Sequence, residues 1–583
     1  MTKRYLLSGI LVLTLAACAN PLDVSNLNDP DRSRTFSNPQ DLQVFIAGLY
    51  ALAHQATLGA QNDGLQAQMA VMSMENVSGL ANFAMGPRSS LPRNPITNQR
   101  GSQGNAGNYN DWLRGHRAAR QAVLGLAALD NVYLGSAGAQ ARARLFCRFV
   151  QGVALGNLAL AYDSASILTE ADNPQADAAV IVPLSGYRAV MTAALGYIDS
   201  AIAIANANPS AFPLPVTSNY WINGLALTQV QFIQIARSYQ ARFRANVART
   251  PAERADTSRG GIVAWSQVIA DANAGIIANF EPQADRLNGW DIVWYAQHHA
   301  SAAWHQMSQF WLGMADTSPA TAPLSYGAYL ANTVPSTRTQ ILIVTPDRRF
   351  PKGTTRGQQS DTLNNVGTGN RGQAFANTPY FRNRPSGSDV SGDPLQVSMY
   401  DFWRGRAFQQ ALRVGRYPVM TAAEIRLLAA EGYLRIPTPN FVEAINRINA
   451  TRGDTTGGNV TGKGFLPRIA TTVSDTVSVA VPGGNACVPR VPDAAQSFRA
   501  TRCGNIWDAL KYEYRLETAY TGYGNWYFPS RGWGDLPQYT ATQWPVPYNE
   551  MDARREAFYG FGGPGGVSGA AAGNYGLFLG GVY

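Results

Sequence analysis

A mostly α-helical fold is what this sequence predicts, built as an imperfect tetratricopeptide-like superhelix of helix pairs with one loop-rich, irregular face. Three observations point there. The stretch Met420–Gly453 reads as an antiparallel helix pair with a short turn. Ala-rich segments with apolar residues at helical spacing recur between residues 37 and 277. The chain also holds 56 Gly and 33 Pro but only 15% charged residues, which predicts long ordered loops between helices. No clean 34-residue repeat emerges, so the array is degenerate.

The pair at Met420–Gly453 carries the clearest signals. Thr421 followed three residues later by Glu424 is a capping box. Ile425, Leu428 and Ala429 share one helical face and Leu427, Ala430 and Leu434 a second, as in a helix sandwiched between neighbours. Gly432 lets one neighbour approach closely, and Pro437 and Pro439 stop the helix. Asn440 with Glu443 caps a second helix carrying Phe441, Ile445 and Ile448 and ending at Gly453.

Taken from the start, Lys3 and Arg4 precede an apolar run, Leu6–Leu15, too short to span a bilayer permanently, which fits a secretory signal in residues 1–17. Leu15-Ala16-Ala17-Cys18 is a lipobox pattern and predicts acylation of Cys18 after cleavage, hence attachment to a membrane through lipid. Ala19-Asn20 lacks the Asp of inner-membrane retention, so the outer membrane is the expected location. Residues 18–36 read as a polar tether and 37–583 as a single domain. In that domain, helical segments occupy about 37–277 and 420–555, a loop-rich region 280–419, and a Gly-rich tail 556–583.

Asn38 caps a first helix with Pro39 at its first position. A helix near Gln66–Asn76 gives way to a stretch rich in Gly, Asn, Pro and Ser, and a loop this long in a packed domain is expected to be functional or disordered. Trp112 opens the next helix and is read as core. Helices follow at Gln140–Tyr162, Ser185–Ala207, Thr228–Arg249 and Ala264–Ile277. Thr455–Arg502 reads as an insertion with a short hairpin at Thr471–Ala480. Cys147 sits in an apolar helix as a free thiol, whereas Cys487 and Cys503 flank a loop in an exported chain and are expected to pair.

The phrases TAAEIRLLAAEGYLR and VEAINRINATRG resemble the SusD/RagB family of bacterial surface lipoproteins, through Glu424, Leu427, Ala430 and Glu431 and then Ile445, Asn446 and Gly453. Asn449 and Thr451 stand where that family usually has arginines. Similar phrases follow the family order along nearly the whole mature chain, among them TPDRRFP at Thr345–Pro351, IWDALKYEYRLETAYTGYGNWYFPSRGWGDL at Ile506–Leu536, and WPVPYNEMD at Trp544–Asp552. Glu513, Glu517 and Gly522 match the second of these, while Thr521, Gly524 and Tyr527 depart from it. The resemblance implies a lipid-anchored protein facing the cell exterior. It would lie over a SusC-type TonB-dependent transporter and bind glycans or, in some cases, peptides, with no catalytic activity and no cofactor.

The residues themselves leave two competing classes, a surface glycoside hydrolase and a structural helical-repeat scaffold. No G-x-S-x-G elbow and no phosphate-binding G-x-x-x-x-G-K-[ST] occurs. Glu513 and Glu517 lie one turn apart, but in a helix that the resemblance makes structural. His298, His299 and His305 lack a Cys or carboxylate at ligand spacing, with Asp291 the nearest acid, so no metal is expected. Despite a formal charge of +9, no Lys/Arg-rich block exists and no nucleic acid is expected to bind. The aromatic residues are the better lead, because sugar C–H faces stack on Trp and Tyr rings. Trp290, Trp294 and Tyr295, with Asn82 and Arg88 of the loop Asn76–Arg100, are the expected ligand contacts. Replacing Cys18 with Ala should leave the protein without lipid and move it from the membrane to the soluble fraction on fractionation.

Overall fold

In a computed structural model, the described residues are 36–59, 64–78, 84–102, 104–172, 181–217, 220–258, 262–292, 305–360, 379–384, 398–405, 408, 411–453 and 464–577. Cys18 lies outside them. Among them, thirteen helices reach seven residues or more. These are α1 (Pro39–Ala47), α2 (Leu49–Gln55), α3 (Leu65–Met72), α4 (Asn105–Leu129), α5 (Ala137–Ala161), α6 (Tyr187–Ala207) and α7 (Gln229–Asn246). They continue with α8 (Trp265–Asn273), α9 (Ala422–Arg435), α10 (Phe441–Arg452), α11 (Ile506–Thr518), α12 (Tyr527–Trp533) and α13 (Tyr548–Arg554).

The fold is mostly α. From α4 onward each helix packs on the next, α4 on α5 and so on through α8 on α9, and α9 then packs on both α10 and α11. This order of contacts is the imperfect superhelix. Small residues set the spacing. A Cβ added at Gly432 of α9 would lie 2.7 Å from Ile269 of α8, so glycine is what allows that contact. Asn38 caps α1 by accepting from the Gln40 and Asp41 N–H groups at 2.8 and 3.2 Å. By length and hydropathy α6 could cross a membrane, but Val190, Ala194, Ile198, Ala201 and Ile202 are buried, and its main neighbour is α5.

Short antiparallel ladders tie the loops together: β1 (Asn76–Ser78) with β5 (His305–Met307), β2 (Ser164–Ser166) with β3 (Leu184–Gly186), and β4 (Gln283–Ala284) with β8 (Gly415–Arg416). The strands β6 (Phe381–Asn383) and β7 (Tyr400–Phe402) pair likewise, as do β9 (Arg490–Pro492) and β10 (Thr501–Cys503). The superhelix is interrupted between α8 and α9, and the interruption is closed at its neck. The Phe280 N–H donates to the Met420 carbonyl at 2.8 Å and the Val419 N–H to the Phe280 carbonyl at 2.9 Å. Residues 281–419 thus form an excursion from the superhelix.

Three local expectations change in the structure. Thr421 does cap α9 through the Glu424 N–H at 3.1 Å, but the reciprocal half of the box is missing because the Glu424 carboxylate is taken by Arg242. No hairpin forms at Thr471–Ala480; Asp475 instead accepts from the Val477 and Ser478 N–H groups and folds a turn. The hairpin of the insertion is β9–β10, and Cys503 at its end is disulfide-bonded to Cys487 with Cα atoms 5.7 Å apart. As far as residue 577 the Gly-rich tail is packed: Phe561 exchanges backbone bonds with Ile96, and the Tyr575 hydroxyl donates to Asp508 at 2.9 Å.

Ion pairs run through the core of this array. Arg242 of α7 grips Glu424 of α9 with two bonds, at 2.6 and 2.7 Å. Arg254 grips Glu431 with two bonds of 2.7 Å, and Trp533 of α12 donates its indole N–H to the same carboxylate at 3.0 Å. Burial pushes the Glu431 carboxyl up, but Arg254 and Arg435 outweigh it and hold the group down at about 2. Removing one member of such a pair strands a charge, whereas replacing both with apolar groups does not. Arg242→Met should therefore cost roughly 3–5 kcal/mol in chemical denaturation. Arg242→Met with Glu424→Leu should recover most of that loss.

Candidate functional site

The excursion and the early loop meet at the β1–β5 ladder. Its register pairs Asn76 with Met307, Val77 with Gln306 and Ser78 with His305. Because the strands are antiparallel, the chain leaves β1 after Ser78 and arrives at β5 before His305 at the same end of the ladder. The two segments singled out for ligand contacts are therefore rooted side by side. Asn82, Trp294 and Tyr295, with His298 and His299, lie outside the described residues.

The ladder is held from beneath by the bend that follows α11. Tyr520, at φ +54°, donates its N–H to the Glu75 carboxylate at 2.7 Å and its hydroxyl to Asn76 at 3.2 Å. From the other side, the Trp311 indole donates to the Ser73 carbonyl at 3.0 Å. The loop ends thus rest on the helix whose phrase was read as scaffold.

Two expected contacts are placed differently. Trp290 is fully buried instead of standing open to a ligand. Asp285 organises a turn, accepting from the Leu287 N–H and the Asn288 side chain, and Gly289 at φ +78° reverses the chain. The turn folds the Trp290 ring onto α2, stacked 5.9 Å from Tyr50 and tilted against His54 at 5.4 Å. Arg88 is buried too. It donates to Gln68 at 2.9 Å, its carbonyl accepts from Arg93 at 2.6 Å, and burial pushes its guanidinium down to about 10. Arg93, which sequence reasoning passed over, also bonds the Val71 and Met72 carbonyls at the end of α3. Buried arginines of this kind carry no periodicity that a sequence could show.

The carboxylate pair is sealed. Arg349 of the TPDRRFP phrase bonds Asp347 and Glu513 at 2.8 and 2.7 Å and reaches Glu517 at 3.5 Å, with all four side chains inaccessible to solvent. The Tyr380 hydroxyl donates to Glu517 at 3.1 Å. A glycosidase needs two carboxyls open to a sugar and to water, and these two are open to neither. No group of three or more His, Cys, Asp or Glu that could hold a metal occurs among the described residues.

A hollow of 470 Å³ lies on the irregular face, lined by Leu324, Gln340, Leu342, Thr354, Thr355, Arg356 and Met399. Met399 precedes β7, which packs beside β5, so the hollow adjoins the ladder. Its volume suits a small ligand. Aliphatic side chains make the apolar part, the Gln340 amide and the Thr354 and Thr355 hydroxyls, both engaged with Gln358, are neutral polar groups, and Arg356, bonded to the Arg384 carbonyl at 3.1 Å, is the one cation in the described lining.

No family model matches the chain, and no curated protein matches it. Among solved structures it is similar to a SusD superfamily protein from Bacteroides fragilis, at 12% identity over 88% of this chain and 98% of that one, with a TM-score of 0.48. It is similar to another from Parabacteroides distasonis, at 10% identity over 88% and 98%, with a TM-score of 0.47. A third, a SusD-like protein from Bacteroides fragilis, shares 14% identity over 85% and 86%, with a TM-score of 0.46. At these scores the likenesses are distant, and the functional reading rests on this chain's own residues.

Glu75, under the ladder, has a carboxyl that burial raises from 4.5 to about 8, opposed by the Tyr520 N–H. Such a group lends stability that is full below 4.5 and lost as pH rises through about 8. Glu75→Gln should therefore flatten the fall in melting temperature between pH 5 and 8 by a few degrees relative to wild type.

Proposed function

We propose that this chain is a SusD/RagB-type nutrient-binding lipoprotein of the outer membrane that captures an oligosaccharide on its irregular face and passes it to a SusC-type TonB-dependent transporter. The lipobox at Leu15–Cys18 supports the anchor, and the ordered series of family-like phrases supports the kinship. One observation carries the ligand class: the hollow beside the ladder sets the neutral polar groups of Gln340, Thr354 and Thr355 against Leu324, Leu342 and Met399. A sugar ring has the same division, with hydroxyls at its edge and C–H groups on its faces.

A binding role is favoured over hydrolysis because the Glu513–Glu517 pair is locked in ion pairs with Arg349. It is favoured over a bare scaffold because the excursion builds a concave surface that the superhelix does not need.

A panel of neutral oligosaccharides titrated calorimetrically should contain at least one saturable ligand, released unchanged with no new reducing ends. Gln340→Ala should weaken its binding about fivefold, the loss of one modest hydrogen bond, without moving the melting temperature. Unchanged affinity in that variant would displace the site from the hollow, and release of reducing sugar would replace binding with hydrolysis.

A further inference from the structure

Four separate stretches of chain wall the hollow beside the ladder: Leu324, then Gln340 with Leu342, then Thr354 with Thr355, and last Met399. The first two are joined directly, since the Leu342 N–H donates to the Leu324 carbonyl at 2.9 Å. Around Leu342 burial alternates: Ile341 and Ile343 are buried, while Gln340 and Leu342 are half-buried and reach the hollow. Behind these walls stands Gln359, on the helical turn 356–360. It is fully buried and is not part of the lining.

The side-chain amide of Gln359 donates to the Ile343 carbonyl at 2.8 Å and to the Gly353 carbonyl at 3.1 Å. Its oxygen accepts from the Asn383 side chain at 2.9 Å and from the Tyr400 hydroxyl at 2.7 Å. Ile343, Gly353 and Tyr400 are the covalent neighbours of Leu342, Thr354 and Met399, one for each wall that remained to be joined. A primary amide offers two N–H donors and an oxygen with two lone pairs, so Gln359 is used completely. Its orientation is also forced. Carbonyls only accept, so the nitrogen must face Ile343 and Gly353. The Tyr400 hydroxyl already accepts the Ile343 N–H at 2.9 Å, which leaves its own proton for the Gln359 oxygen.

We propose that Gln359 is the positioning residue of the sugar hollow: without touching the ligand, it sets the spacing of the walls before a ligand arrives, and so governs both affinity and the choice among similar sugar rings. This rests on the reading of the hollow as the sugar site. Walls gathered in advance spare the ligand the cost of gathering them. Walls of fixed spacing also do not shift to meet a ring whose hydroxyls point elsewhere, which turns a small difference in shape into a difference in affinity. The role needs an amide. A carboxylate at 359 would set a second acceptor against the Ile343 and Gly353 carbonyls, and an aliphatic side chain would leave all four surrounding groups without this partner.

The test is calorimetry on the full chain, well below each melting temperature, with the oligosaccharide that binds wild type and with its nearest epimer. Gln359→Met should weaken binding about tenfold and narrow the gap between the two sugars. Tyr400→Phe, which removes one of the four bonds, should weaken binding about threefold and decides the matter if Gln359→Met does not fold. Arg242→Met, destabilised in the superhelix, should keep both the wild-type affinity and the gap, which separates positioning from general loss of stability. Hydrogen exchange of the free protein should show the Ile343 N–H protected before any sugar is added. Unchanged affinity in Gln359→Met and Tyr400→Phe, or an equal loss in Arg242→Met, would overturn the positioning role and leave the sugar reading standing. Protection of Ile343 that arises only with sugar would overturn it too, because the ligand would then be gathering the walls. A wild type that binds no oligosaccharide would overturn the sugar reading, and this proposal with it.

Discussion

The architecture depends on two carboxylates of one helix. Glu424 and Glu431 sit two turns apart on α9, each inside the core and each gripped by a bidentate arginine from the α7 region. Desolvating such pairs costs about as much as their attraction returns, so they are not the source of the protein's stability. Their contribution is geometric. A planar guanidinium meets a carboxylate in one orientation, which fixes how far α9 slides and rotates against its neighbours. Apolar Ala and Leu faces alone would tolerate several such arrangements. Trp533 on Glu431 and Asn525 on Glu424 extend the same fixing to the chain after α11.

From there the order is passed to the functional face. The bend after α11 carries Tyr520, which holds Glu75 and Asn76, and those residues set the end of the ladder from which both loops depart. Arg349 repeats the device further out, joining the first part of the excursion to Glu513 of α11. The loop-rich face is thus referenced to the superhelix through polar contacts of defined direction, while most of the packing between helices is apolar and less directional.

How much of this was legible in the sequence differed by kind of interaction. The helices, the caps at Asn38, Thr421 and Asn440, the close approach at Gly432 and the cysteines available for pairing were legible, because each depends on residues near one another in the chain. What escaped depends on distant partners. Glu424 reads locally as half of a capping box, and only the arrival of Arg242 takes it away. Trp290 reads as a loop aromatic, and only the contact with Tyr50 of α2 makes it core. The hollow at Gln340–Met399 gathers residues with no shared motif, so no spacing announced it.

The neck at Phe280 and Met420 bears on how such a protein changes over generations. The backbone enters and leaves the excursion at one antiparallel bridge, and between its ends the excursion is tied to the rest of the molecule at separate anchors, Trp290 on Tyr50, Trp311 on Ser73 and Arg349 on Glu513. Lengthening a closed loop is cheap, about 0.6 kcal/mol for each doubling. Insertions in residues 281–419 are therefore tolerated between those anchors and the buried aromatic residues, and not at them. A lineage can lengthen one loop of that surface between the anchors while inheriting its helical scaffold intact.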